Sequence, residues 1–209
     1  MRRQGNHFDP HELLEALARP EPTPAGGAAA ALVVSQGAAL GLMVVRIAFR
    51  REGQTSVATL LRDAEAALLR VYHDAWPLFE EDARAYDAVR QASSKRAAQS
   101  AENEETLQRA LLHAVDVPLR IMDLAAHGLA ALSAVSAFVS PALLVDAAAG
   151  ARLMLSGAQI SLWNIRHNAL SLTDRDEARH RQERARQGWE LADAAYEEIH
   201  TRLDARSAR

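Results

Sequence analysis

The chain has no cysteine among its 209 residues. That excludes disulfides, zinc thiolate sites and thiol nucleophiles, and it suits the reducing cytoplasm. Aromatic residues are only 5% of the chain, and runs rich in Val, Ile, Thr and Tyr are missing. With alanine abundant, the composition predicts an all-α fold. An excess of one charge sign is also missing: the formal net charge is -3, with no basic field of the kind that binds nucleic acid. Neither G-x-x-x-x-G-K-[ST] nor G-x-G-x-x-G occurs, and no nucleophile–base pattern is visible. "MRRQGNH" is followed by an acidic amphipathic segment, so no signal peptide is expected.

Two stretches lack charge, residues 25–45 and, apart from His127, residues 124–145. Each is long enough to cross a bilayer. Both are mostly alanine, with weak transfer energies and no aromatic anchors at both ends. Core helices, and no membrane, are the expectation. Gly37 and Gly41 form G-x-x-x-G, which permits close backbone approach.

The remaining pattern predicts one domain over residues 1–209, a helical bundle with long, partly kinked helices. Asp9, Pro10 and Glu12 form a helix start, with Phe8 and Leu13 as a hydrophobic staple. Leu13, Leu14 and Leu17 give this helix an apolar face, and Pro20, Pro22 and Pro24 end it. A second helix is expected from Gly26 to about Arg50. A third runs from Val57 through Val89 with a kink at Pro77, which cannot bond the carbonyl of His73. "SSKRAAQSAENE" reads as a loop. A fourth helix starts near Glu104 and carries Pro118 as a possible kink. A fifth covers about 143–172, after a turn at Ser140–Pro141. "LTDRDE" caps a last helix whose apolar stripe is Trp189, Ala192, Tyr196, Ile199 and Leu203, its other faces being a solvated exterior.

Three features carry possible chemistry. Asp82 lies on the apolar stripe of the third segment, between Phe79 and Tyr86. A carboxylate there is costly unless paired, and its pKa tends to rise, which suits proton transfer; a structural ion pair or a hydrogen bond to a helix terminus is the other reading. Asp146, Gly150, Leu153, Gly157, Ser161, Asn164 and Asn168 form a ridge of small and polar groups, either a close-packing seam or a ligand-facing wall with two amides. Gly26 and Gly27, after Pro-Thr-Pro, open a helix whose free N–H groups could meet an anion or a carbonyl oxygen, or simply start a helix. Two Glu-x-x-His pairs, Glu177/His180 and Glu197/His200, fall on one helix roughly 30 Å apart. They cannot share a metal, and none is expected.

In order and spacing these pieces resemble the cyclodeaminase domain of formiminotransferase-cyclodeaminase and the related methenyltetrahydrofolate cyclohydrolases. The likeness covers nearly the whole chain. "PTPAGGA" (22–28) stands for the family's Pro-Thr-Pro-Gly-Gly-Gly-Ser. "DARAY" stands for Asp-x-x-Ala-Phe, and places Asp82 at the proposed proton acceptor. Val117-Pro118-Leu119 recurs. "VSPALLVD" keeps Pro141 and Asp146, and "NIRHNALSL" keeps Asn164 and Asn168. Ala25, Ala28, Ser140, Ala142 and Val145 depart from the family residues, and its Leu-Pro-Lys loop is missing.

The resemblance implies a homodimer acting on a tetrahydrofolate derivative as substrate, without metal or redox cofactor. The reaction is either hydrolysis of 5,10-methenyltetrahydrofolate or cyclodeamination of 5-formiminotetrahydrofolate. Asp82 would transfer the proton. Thr23, Gly26, Gly27, Asp146, Asn164 and Asn168 would bind the substrate. Arg46, Arg50, Arg51, Lys95 and Arg96 are candidates for its glutamate tail, by charge alone. Asp82 is expected to lie buried beside the Gly26 turn, and a second chain could supply Asn164 or Asn168. A non-catalytic paralogue that keeps the fold as a ligand-binding or scaffold protein is the alternative.

Overall fold

Seven helices account for the regular structure of the described residues: α1 (Pro10–Ala18), α2 (Gly26–Glu52), α3 (Ala58–Ala75), α4 (Leu78–Lys95), α5 (Ala101–Ser136), α6 (Pro141–Ala169) and α7 (Arg175–Ser207). The computed structural model describes residues 10–52, 56–95 and 101–207, and among these there is no strand. The expected caps Phe8 and Asp9 lie outside the described residues. Leu14 of α1 is 60% exposed rather than part of an apolar face.

Pro77 does more than kink its segment. It has no N–H for the carbonyl of His73, and the helix divides into α3 and α4. Trp76 stays in the α region (φ -56, ψ -48), and Phe79 N–H restarts the ladder on the Trp76 carbonyl at 3.1 Å. The polar stretch after Ala92 is mostly helix, since α4 runs to Lys95 and α5 begins at Ala101. Glutamates in the first turn of α5 complement its dipole.

Helix α7 starts where its cap predicts: the Asp174 carboxylate accepts from the N–H groups of Asp176 and Glu177 at 2.9 and 3.1 Å. Its polar side is not simply a solvated exterior. Arg181 reaches Asp116 at 2.8 Å and Arg184 reaches Asp123 at 3.0 Å, both on α5. Further along, Ser133 donates to Glu198 at 2.6 Å and Arg202 donates to Ser136 at 2.7 Å.

The seam between α2 and α6 organises the bundle. The helices run antiparallel and touch through backbone. A Cβ on Gly37 would lie 2.5 Å from the Gly150 carbonyl oxygen, and one on Gly150 would lie 2.8 Å from that of Gly37. A Cβ on Gly157 would collide with Val34 and sit 2.9 Å from the Ala30 oxygen. Around the seam, Ala30, Ala31, Val34, Ala38, Ala147 and Ala151 are buried. The small-residue ridge of α6 is thus a packing surface over Gly150 and Gly157. By length and composition α2, α5 and α6 could each cross a membrane, but their apolar faces are buried against one another.

Gly157→Ala gains about 1 kcal/mol of helix propensity yet should lose about 1–3 kcal/mol to overpacking. Thermal unfolding should show a lower Tm. Gly26→Ala, whose Cβ meets only Ile160 at 3.8 Å, should not lower it.

Candidate active site

The first helical bond of α2 runs from Ala29 N–H to the Ala25 carbonyl at 3.0 Å. The N–H groups of Gly26, Gly27 and Ala28 therefore have no acceptor within the helix. The acceptor there is a protein carboxylate: the Ala28 N–H donates to Asp82, from α4. Of the three groups, the Ala28 N–H is thus met by the protein itself. Gly27 makes the arrangement possible, because a Cβ at that position would overlap the Asp82 carboxyl, with Cγ only 2.5 Å away.

Asp82 is half-buried, at the edge of the core rather than inside it. The buried spine of α4 is Leu78, Ala85 and Ala92. Burial pushes the Asp82 carboxyl above its ordinary value of 3.8, and the Ala28 N–H draws it part of the way back. The preceding acid, Glu81, is held by Arg120 at 2.6 Å, so no cation neutralises Asp82 through that route.

Asp82 borders a cleft of about 360 Å³ with Thr23, Gly26, Gly27, Asn164 and Asn168. Six sequence-predicted residues thus meet in one place, all from a single chain. The antiparallel seam explains it, since the start of α2 lies beside the last turns of α6. Asn168 is already engaged: its Nδ2 donates to the carbonyl of Ala114 on α5 at 2.8 Å. Two lining residues were not singled out from sequence. Tyr86, 44% exposed, lies one turn after Asp82 and presents an aromatic ring to the cleft. His167, exposed between the two asparagines' positions, borders the same cleft. Their spacing of four from Asp82 and three from Asn164 was the available signal.

Other predicted residues lie elsewhere. Asp146 is at the opposite end of α6, roughly 30 Å from the asparagines. Arg46 pairs with Glu65 at 2.7 Å. With Arg50 and Arg51 it occupies the far end of α2, roughly 30 Å or more from Gly26. None of these three arginines can contact a small ligand in the cleft. Arg96 and the Lys95 side chain lie outside the described residues. Basic groups nearer the cleft are on α6 and α7: an open trough of about 830 Å³ is lined by Trp163, Arg166, His167 and Arg179, among others. His167 borders both spaces.

The family model for formiminotransferase-cyclodeaminase matches residues 10–187. The chain belongs to the formiminotransferase-cyclodeaminase family. The match spans every element that builds the cleft. The fold agrees with the crystal structure of formiminotetrahydrofolate cyclodeaminase from Thermotoga maritima, solved at 2.80 Å resolution. The TM-score is 0.86 over 95% of this chain and 97% of that one, at 22% identity. No curated protein sequence matches the chain directly. Within the family this member is divergent, and its helical bundle is the family's fold.

The pKa of Asp82 gives a stability test. Its folded value is raised, so the folded state holds the proton more tightly than the unfolded chain. Stability is therefore lost as pH rises from the ordinary value through the raised one. Asp82→Asn should raise Tm at pH 7. That gain should vanish below about pH 4, where Asp82 is protonated in both states. A gain independent of pH would mean that Asp82 is not buried as an anion.

Proposed function

We propose that the chain is a folate one-carbon enzyme of the cyclodeaminase or cyclohydrolase type, with Asp82 as the proton carrier. The observation that carries this reading is Asp82 itself. It is a carboxylate with a raised pKa, held by a helix N-terminus at the wall of a ligand-sized cleft. In cyclohydrolysis, water adds to the methenyl carbon and loses a proton to solvent. Asp82 then relays the hydroxyl proton of the adduct to N5 as the carbon–N5 bond breaks. In cyclodeamination, N10 bonds to the formimino carbon. Asp82 carries the N10 proton to the departing nitrogen, which leaves as ammonia with one further proton from solvent. Asn164 and Asn168 offer amides to the pterin, and Tyr86 a face to stack on.

The glutamate tail runs past His167 into the trough, toward Arg166 and Arg179. Arg179 is paired with Asp176. Arg166 has no ion pair among the described residues. The protein works in the cytoplasm as a homodimer in this reading, and Asp146 serves a cleft only as the residue of a second copy.

The non-catalytic alternative draws its support from Ala25, which borders the cleft where the family has glycine. The other replacements weigh little. Ala28 is fully buried, and Val145 is at the far end of α6.

Two assays decide. With 5,10-methenyltetrahydrofolate, absorbance should fall faster than in buffer; with 5-formiminotetrahydrofolate, ammonia should be released. Asp82→Asn should lower kcat by about 10²–10⁴-fold. No turnover of either compound would leave the non-catalytic reading. Arg166→Glu should raise KM for a polyglutamylated substrate by about three- to tenfold, with little change for the monoglutamate.

A further inference from the structure

Pro118 lies inside α5 and is buried. It has no N–H, so the carbonyl of Ala114, four residues earlier, lacks its ordinary helical donor. A carbonyl shielded from water on one side seeks a substitute. Here the substitute is Asn168 Nδ2 at 2.8 Å, from a helix 54 residues away in sequence. Ala114 and Asn168 both border the cleft.

We propose that Pro118 is a positioning residue for the cleft, acting through Asn168. By freeing the Ala114 carbonyl it dictates which end of the Asn168 amide a ligand meets. An amide has a donor end and an acceptor end of nearly equal shape, and its hydrogen-bond partners fix which way it points. With one of the two Nδ2 hydrogens committed to Ala114, the amide is fixed in one orientation, its other N–H remains, and its oxygen has no donor among the described residues. The flipped amide would set two acceptor oxygens against each other. Among the described residues nothing donates to that oxygen. The cleft therefore selects a ligand that presents an N–H at this point, as the amino-pyrimidinone edge of a pterin does. The ligand identity rests on the folate reading; the link from Pro118 to Asn168 does not.

Pro118→Ala tests the link. Alanine is the best helix former, so the variant should fold and melt no lower than the parent. Its new N–H competes for the Ala114 carbonyl. In ¹⁵N-labelled protein, the Asn168 side-chain NH₂ signals are those missing from Asn168→Ala. Pro118→Ala should shift them and speed their exchange with solvent by about five- to tenfold, the worth of one hydrogen bond. Binding of 5-formyltetrahydrofolate, a stable probe, should weaken by about three- to tenfold. In an Asn168→Ala background Pro118→Ala should cause no further loss, because the two act as one unit. Unmoved NH₂ signals, or an equal loss in both backgrounds, would overturn the proposal. If the parent protein fails to bind the probe, the folate reading falls and the NH₂ signals alone decide the role of Pro118.

Discussion

The backbone contact between α2 and α6 is the constraint on which the rest of the structure depends. Where Gly37 faces Gly150, and Gly157 faces Ala30, the glycines let the helices approach to within backbone contact. Ridges of ordinary side chains hold helix axes about 8–10 Å apart; glycines let this pair come closer. Because the pair is antiparallel, the same contact carries the start of α2 to the end of α6. Gly26, Gly27, Asn164 and Asn168 become neighbours without any contact designed for each one. The cleft is a consequence of where two helices cross.

A second constraint is the Asp82 carboxylate. A helix start with unmet N–H groups is favourable for an anion, while partial burial is unfavourable for one. The two effects oppose each other at Asp82, and burial is the larger. The group is left poised, charged at neutral pH only against resistance. Gly27 sets the terms, since any side chain there would push the carboxylate away from the helix and out toward water. Residue 27 thus acts on the chemistry by having nothing to contribute.

Much of this was legible in the sequence. Helical spacing placed Asp82 on an inward face, and Pro-Thr-Pro-x-Gly-Gly marked the start of α2. Both readings depend on local geometry, which sequence encodes directly. The basic groups near the cleft were not legible. Only charge points to Arg46, Arg50 and Arg51, and charge does not say which end of a 27-residue helix faces a cleft. Asp146 lies far from the cleft of its own chain for a related reason: periodicity reports the face of a helix and not the position along its axis. The charged side of α7 looked solvated because Arg–Glu pairs at i,i+4 spacing predict an exterior. Arg181 and Arg184 instead find acids 65 and 61 residues away, a pairing that only the tertiary fold creates. The role of Asn168 was hidden in the same way, because its partner carbonyl is orphaned by a proline on another helix.

The seam of glycine and alanine also affects how the cleft moves. Walls built of long side chains keep alternative rotamers, and they can repack around whatever enters. Glycine and alanine have no side-chain rotamers to lose on folding, and none to explore afterwards. Where Gly26 and Gly27 line the cleft, the wall has no side chain that can rearrange. A ligand held there meets a fixed surface at the glycines, and adaptation is left to the larger groups of α4 and α6, such as Tyr86, Asn164 and His167. Shape discrimination and accommodation are thereby divided between two sides of one small space.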